Sequence, residues 1–451
     1  SEQLVRFDHD SRVWVWQLEE IHAKGYSANV LDLMSHKIGE LPESTRHTLQ
    51  TAAGIGGKFD LLLLSDATGK AWRDLAADLR PAVAAGLVLP SSPAARRARV
   101  EPDGDPADHI FSFLHDRVQE AAYSRIPVNE RPSTHLRIAN LLLDVAGGDQ
   151  SDQRIFEIAG HLNRGAELVR EPVERLRAAR LNELAAGKAF RSAAYRPASE
   201  FYRFGIQFLA EMGSLSNDDD LLRHRLELGY ARCEYLDGNL RRAREMLVAT
   251  MARTRLPIRR AELGRLKSMV ETNLPDIRAA RETILLALRE RGCLLFSTSA
   301  ECRAAMEDEL NAARLPISLT EIGAMGDLRQ SEDDEHTSLV DLLVYSYLPL
   351  MQNQDTDAAD LVVLRAVVES SIHGATASTA LAYVYVGSYV GASSNDFRSA
   401  YTWGLSAIQL QSRQIDQSLF ARTLFAFCVW LKHLGSPSRD SVALCQQVSL
   451  S

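Results

Sequence analysis

The stretch IFSFLHDRVQEAAYSRI, residues 110–126, decides how the chain is read. Ile110, Phe111, Phe113 and Leu114 form a short apolar run of strand-forming residues that meets His115 and Asp116. A helical period starts at once, with Val118, Ala121, Ala122 and Ile126 at i, i+3, i+4 and i+8. A strand that feeds a helix through a His-Asp pair holds polar groups rigidly at the junction. Two readings of that pair stand side by side. In one, Asp116 complements the positive end of the helix and His115 is a satisfied junction residue. In the other, the pair offers an imidazole and a carboxylate to a ligand.

Upstream, WVWQLEEIHAKG (14–25) puts Trp14, Leu18, Ile21 and His22 on one helical face, with Gly25 as a stop. A second helix follows in SANVLDLMSHKIGEL (27–41), capped by Ser27, with Val30, Leu31, Met34 and Ile38 as its buried stripe. Pro42 suits the start of the next, whose apolar side is Leu49, Ala52 and Ala53 and which the glycines of 54–57 break. Residues 59–64 are expected to start a short helix and 72–85 a further one, ended by Gly86. Two strands, 87–90 and 110–114, then flank a polar loop at 91–108 rich in Pro, Gly, Arg and Asp. Helices followed by two strands around a loop tip make a winged-helix arrangement over residues 26–127.

Downstream, residues 128–434 are helical almost throughout. A bulky residue, an alanine three later and a second bulky residue recur as Tyr195-Ala198-Phe201, Leu240-Ala243-Met246, Ile277-Ala280-Ile284 and Phe397-Ala400-Trp403. The first two offsets, 45 and 37 residues, straddle a tetratricopeptide-like period with variable loops. The alanine lets the two helices of a repeat approach, and the bulky neighbours fill the space between repeats. Asp237-Gly238-Asn239 is a turn between paired helices, and the acidic segment 326–336 is expected to be a surface loop. The fold class expected is therefore mainly α: a winged-helix unit followed by a tetratricopeptide-like α-superhelix of helix pairs.

Composition narrows the chemistry. With 46% hydrophobic and 24% charged residues, 451 residues can bury a large core. A net charge of −8 argues against coating nucleic acid. Residues 26–127 hold 11 Lys and Arg against 13 Asp and Glu, and the candidate recognition helix at 71–86 sets Asp74 and Asp78 beside Arg73 and Arg80. The five cysteines are scattered and odd in number, which fits a reducing cytoplasm, and no run reaches the roughly 18 apolar residues of a spanning helix. GIGGKF (54–59) lacks G-x-x-x-x-G-K-[ST] and follows a helix, so it is a turn and no phosphate loop. The twelve histidines show no metal-ligand spacing, and there is no G-x-S-x-G elbow and no activated cysteine, so neither a catalytic residue nor a metal site is expected. The basic clusters 95–99, 241–244 and 253–260 are solvated faces, or else a docking patch for an acidic partner. The chain opens on Ser1 and closes on a helical pattern at 442–448, as expected of a piece of a longer protein.

FLHDRVQEAAYSRIP, ANVLDLMSHKIGELPESTRHTLQTAAGIGGKFDL, HLRIANLLL and HLNRGAEL, taken together, resemble one known family. They resemble the region that follows the ATPase in large bacterial signalling proteins. In these a serine/threonine kinase domain precedes a STAND-type, AAA-related ATPase, then a winged helix and tetratricopeptide-like repeats, and many end in GAF and histidine-kinase domains. The resemblance runs through residue 190 and on over the repeats to 430. It implies that residues 1–25 are the end of an ATPase domain whose Walker motifs lie before Ser1, that 26–127 are the winged helix, that 128–434 are the repeats, and that 435–451 are an unassigned tail. It also implies a role for the pair at 115–116. In STAND ATPases a Met-His-Asp-like motif closes the winged helix and its histidine reaches the phosphate of bound ADP. Leu114-His115-Asp116 looks like that motif, with Leu for Met, which makes His115 and Asp116 sensors of ADP held by the ATPase domain. The segment itself then has no cofactor, while the parent protein uses ATP and ADP. Its partners are its own ATPase and kinase domains and a protein bound on the repeats, with neither nucleic acid nor membrane involved. The alternative parent is a large ATP-dependent transcription activator.

Overall fold

The computed structural model describes residues 5–8, 13–16, 30–97, 104–145, 154–210, 212, 216–274, 276–293, 298–313, 318–413 and 417–435. The fold is mainly α. The first elements are strands β1 (Val5–Asp8) and β2 (Val13–Trp16), an antiparallel pair with Phe7 opposite Trp14. The expected helix over 14–25 is therefore corrected at its start. VWVW is an unbroken run of β-branched and aromatic residues, and a partner strand within reach gives its backbone a ladder that outweighs the helical spacing of Trp14 and Leu18. Residues 17–25 and the expected cap at Ser27 lie outside the described residues.

Next come α1 (Val30–Gly39), α2 (Glu43–Ile55), β3 (Lys58–Asp60), α3 (Leu61–Thr68), α4 (Trp72–Ala84), β4 (Val88–Pro90), the short α5 (Pro93–Arg97), β5 (Ile110–Phe113) and α6 (Asp116–Ser124). Three strands form an antiparallel sheet in the order β3-β5-β4, where two strands were expected. Lys58 and Phe59 do not open a helix. Phe59 pairs with Phe111, and the rings of Phe59 and Phe113 lie 5.7 Å apart. Asp60 stops the strand and caps α3, its carboxylate accepting from the Leu63 N–H at 2.7 Å. The stretch 110–114 thus supplies the central strand, held on both sides. The expected loop at 91–108 carries α5 and a 3₁₀ turn at Pro106–Asp108, while residues 98–103 lie outside the described set. Leu49, Leu61, Leu64, Leu75, Leu79, Phe111 and Val118 make one core beneath these elements.

The chain divides into two compact units, residues 1–188 with 204–215, and residues 189–203 with 216–451. In the first, α7 (Arg131–Val145) packs on α2, α3 and α8 (Ile155–Arg164), so residues 128–188 join the sheet-bearing part. Helix α9 (Pro172–Arg191) and helix α10 (Tyr195–Ala210) are shared between the units.

The second unit is an array of helices: α11 (Asn217–Leu236), α12 (Leu240–Arg253), α13 (Pro257–Asn273), α14 (Ile277–Glu290), α15 (Ser299–Ala313), α16 (Leu319–Ala324), α17 (Asp334–Gln352), α18 (Thr356–His373), α19 (Thr379–Ser394), α20 (Phe397–Gln411), α21 (Gln417–Trp430) and α22 (Lys432–Gly435). The recurring pattern has a structural meaning. Tyr195, Leu240, Ile277 and Phe397 are each the first residue of a helix, and Ala198, Ala243, Ala280 and Ala400 are all fully buried. A glycine faces one of these alanines, and another makes a similarly close contact elsewhere in the array. A Cβ at Gly387 on α19 would sit 2.8 Å from the Ala400 carbonyl oxygen, and one at Gly264 on α13 would sit 2.9 Å from the Ala287 Cβ of α14. The acidic segment 326–336 is no simple loop. It begins in a 3₁₀ turn at Met325–Asp327, Asp333 caps α17, and His336 is buried on that helix, bonded to the Gly374 carbonyl. The basic cluster 253–260 is used internally, Arg253 pairing with Glu227 at 2.6 Å, Arg259 with Asp220 at 2.5 Å and Arg260 with Glu290 at 2.8 Å.

Candidate functional site

Strand β5 delivers His115 in an extended conformation as the N-cap of α6, with Asp116 as the first helical residue. The Arg117 N–H donates to the Asp116 carboxylate at 2.8 Å and to the His115 Nδ1 at 3.2 Å, and that same Nδ1 lies against the carboxylate. Both side chains are exposed, as is Leu114, so the Leu-His-Asp triplet faces outward from the unit. With Nδ1 engaged at the cap, Nε2 is the imidazole atom left for a ligand. As an N–H it is a donor aimed outward.

The inner face of α6 borders a cleft of about 880 Å³ within the first unit. Its walls are the 54–58 segment, Asp116, Gln119 and Tyr123 of α6, His135 of α7, and Arg154, Gly160, His161 and Arg164 at α8. Gln119 donates to the Ala53 carbonyl at 3.2 Å, and Arg125 reaches back to the Ser35 carbonyl at 3.3 Å, which fix α6 on α2 and α1. Lys58, Arg154 and Arg164 are matched by Asp60, Asp116, Glu120 and Glu157 around the rim, so the lining has no single sign.

Sequence reasoning missed what lies at the floor of this cleft. The Tyr123 hydroxyl bonds the Nε2 of His135 at 2.8 Å, and the Nδ1 of His135 meets the Nδ1 of His161 at 2.9 Å. His161 also hydrogen-bonds the Ile55 backbone. Both rings are buried. Burial pushes the pKa of His135 down to about 4, helped by Arg164 and Arg131. His161 is pushed down to about 3 by burial, then by His135 and Arg164. A neutral imidazole has one donor nitrogen and one acceptor nitrogen. The bond to Ile55 favours the protonated form of His161, so His161 donates there, and between the two neutral rings one Nδ1 donates and the other accepts. A single hydrogen-bonded chain therefore joins α6, α7, α8 and the end of α2. The signal for it was present in HLRIANLLL and HLNRGAEL, each opening on one of these histidines, but nothing in their spacing says that the two rings touch.

Among the described residues no group of three or more His, Cys, Asp or Glu could hold a metal ion, and no helix is long and apolar enough to cross a membrane. Cys233, Cys293, Cys302 and Cys428 form no disulfide among the described residues, and burial pushes the Cys233 thiol up to about 12, which makes it a poor nucleophile.

No family model matches the chain. It is similar to a segment of the hybrid signal transduction histidine kinase G of Dictyostelium discoideum, at 22% identity over 299 residues, covering 56% of this chain and 9% of that protein. The similarity is to a region of a signalling protein, of which this chain spans a small part.

Proposed function

We propose that the chain is a non-catalytic regulatory and protein-interaction segment of an ATP-regulated, cytoplasmic multidomain signalling protein, a kinase. Residues 30–126 act as a winged helix. Their sheet order, β3-β5-β4, with α2 before the first strand and α3 and α4 before the second, supports that reading. The array acts as a tetratricopeptide-like superhelix that binds a partner or the protein's own kinase domains, and buried alanines at helix starts support it. The likeness to a signalling histidine kinase favours this parent over a transcription activator.

The observation that carries the proposal is the outward-facing triplet at the end of the central strand. His115 offers a free Nε2, and the Arg117 N–H holds the ring from its Nδ1 side. In the whole protein this imidazole would donate to a phosphate oxygen of ADP held by the ATPase domain. A charge-assisted bond of that kind contributes roughly 1.5–3 kcal/mol, at the lower end for exposed groups. That is about tenfold in an open-closed equilibrium, enough to help hold an inactive state and too little to hold it alone. In the full-length protein, His115→Ala should weaken ADP retention about tenfold and raise basal output. Unchanged ADP affinity in an equilibrium titration would rule the sensor role out.

A further inference from the structure

Alternate helices of the array, α11, α13, α17, α19 and α21, border a cavity of about 300 Å³. Its lining is of two kinds. Met269, Val344, Leu348 and Leu381 give it an apolar side. Arg422, Tyr345, Tyr385 and Tyr235 give it a polar side made of hydrogen-bond donors. The described lining holds one cation and no acidic residue. Arg265 stacks on the ring of Tyr345 as Arg422 does, but it stands outside the lining.

The donors are held in place. The guanidinium carbon of Arg422 lies 5.0 Å from the centroid of the Tyr345 ring, which keeps the cation over that face. The Tyr385 ring stacks on Tyr347 with centroids 4.0 Å apart and meets Trp430 edge-on. Tyr385 is only 5% exposed. Its hydroxyl has no hydrogen-bond partner among the described residues and is not sealed from solvent, so it opens into the cavity it lines. A buried hydroxyl normally has a partner, and this one waits for a ligand to supply it. It stays protonated, because burial pushes its pKa up to about 12 against the pull of nearby Arg422. The Tyr345 hydroxyl also has no partner among the described residues, and the Tyr235 hydroxyl accepts from Asn273 at 3.1 Å and keeps its own proton to give.

One guanidinium beside a hydroxyl donor fits one carboxylate. The apolar side fits a small hydrocarbon body, and the volume suits a small molecule. A lining without an acid disfavours amino acids, whose ammonium group would lack a counter-charge, and a single cation disfavours dicarboxylates. We propose that this cavity binds a small monocarboxylic acid with an apolar body, its carboxylate held by Arg422 and the Tyr385 hydroxyl and its body set against Met269, Leu348 and Leu381. The proposal goes beyond both the partner-binding reading of the array and the ADP readout of His115, and it stands or falls apart from them.

The test is isothermal titration calorimetry of the 451-residue chain with phenylacetate and hexanoate, and with phenylacetamide, phenylalanine and glutarate as controls. One saturable site is expected for at least one of the two acids, with a dissociation constant of about 1 mM or tighter, and none for the controls at matched concentration. Tyr385→Phe, which removes only the hydroxyl, should weaken binding about fivefold. Arg422→Gln should weaken it about tenfold or more, and Arg422→Lys, which keeps the charge and loses the paired donors, should fall in between. Circular dichroism identifies variants that have lost the fold, and Tyr385→Phe decides the matter if Arg422→Gln is one of them. No saturation by either acid up to about 20 mM, equal binding of phenylacetamide, or indifference to both Tyr385→Phe and Arg422→Gln would overturn the proposal. Equal or tighter binding of glutarate or phenylalanine would overturn it too, because the site would then answer to charges that its lining does not match.

Discussion

Gly387 and Gly160 both lie within helices, one in the helical array and one beside the cleft of the sheet-bearing unit, and their surroundings are opposite. A Cβ at Gly387 would meet the Ala400 carbonyl oxygen at 2.8 Å and the Leu431 Cδ1 at 2.9 Å, whereas one at Gly160 would meet nothing within 4 Å. The array is specified by steric fit between neighbouring helices, from small residues at fixed positions. The cleft is specified by directional bonds, from Tyr123 through the two histidines to Ile55. One region therefore has little tolerance for added volume, and the other has room but depends on its protonation state.

The largest effect should come from adding volume to the array. Gly387→Leu puts a branched side chain against backbone and against Trp403, whose Cβ already lies 3.1 Å from the Cβ position. Overpacking of this kind costs about 3 kcal/mol, because backbone cannot yield as a flexible side chain can. Chemical denaturation followed by the fluorescence of the array's tryptophans, Trp403 and Trp430, checks it. A loss below about 1 kcal/mol would mean that α19 and α20 move apart easily, and the comparison would fail on the array's side.

This steric code was partly legible. Alanine recurring after a bulky residue marked four of the helices, because the pattern is local to each of them. That each copy marks the first turn of a helix needed the structure. In the other unit, the strand at 110–113 and the helix after His115 were readable from apolar spacing. The strand at Lys58–Asp60 was not, because three residues carry no period and their strand character comes from pairing with β5, some 50 residues away. The His135–His161 contact was invisible for the same reason. His115 and Asp116 stood out, yet the cap geometry at α6 serves a plain helix start as well as a sensor, so their role is decided outside this chain.

The cleft should show its difference in acid. Folded His135 and His161 hold pKa values of about 4 and about 3 against 6.5 unperturbed, so below 6.5 the unfolded chain takes up protons that the folded one refuses. Stability contributed by the neutral pair is therefore full above pH 6.5 and is lost as the pH falls toward about 4 for His135 and about 3 for His161. The slope is at most about 1.4 kcal/mol per pH unit for each ring. Replacing His161 by Gln, which can still donate to Ile55, should remove roughly half of that slope in denaturation series at pH 7.5, 6 and 5. An unchanged slope would show that the rings titrate normally in the fold, and the hydrogen-bonded chain would have to be abandoned.

The smallest effect has the opposite sign. Gly160 lies inside α8, between Ile155 and Arg164, with open space where a Cβ would go. Replacing it by Ala restricts the unfolded chain and adds no clash, which stabilises a helix interior by about 0.5–1 kcal/mol. The new methyl group would project toward the cleft that Gly160 lines, yet it is too small to reach the walls. The shift is measurable as a higher denaturant midpoint with an unchanged slope. A destabilised Gly160→Ala would mean that the cleft closes on α8 in solution. The contrast between a tight array and a roomy cleft would then be one of degree, with Gly160 acting as a contact glycine like Gly387.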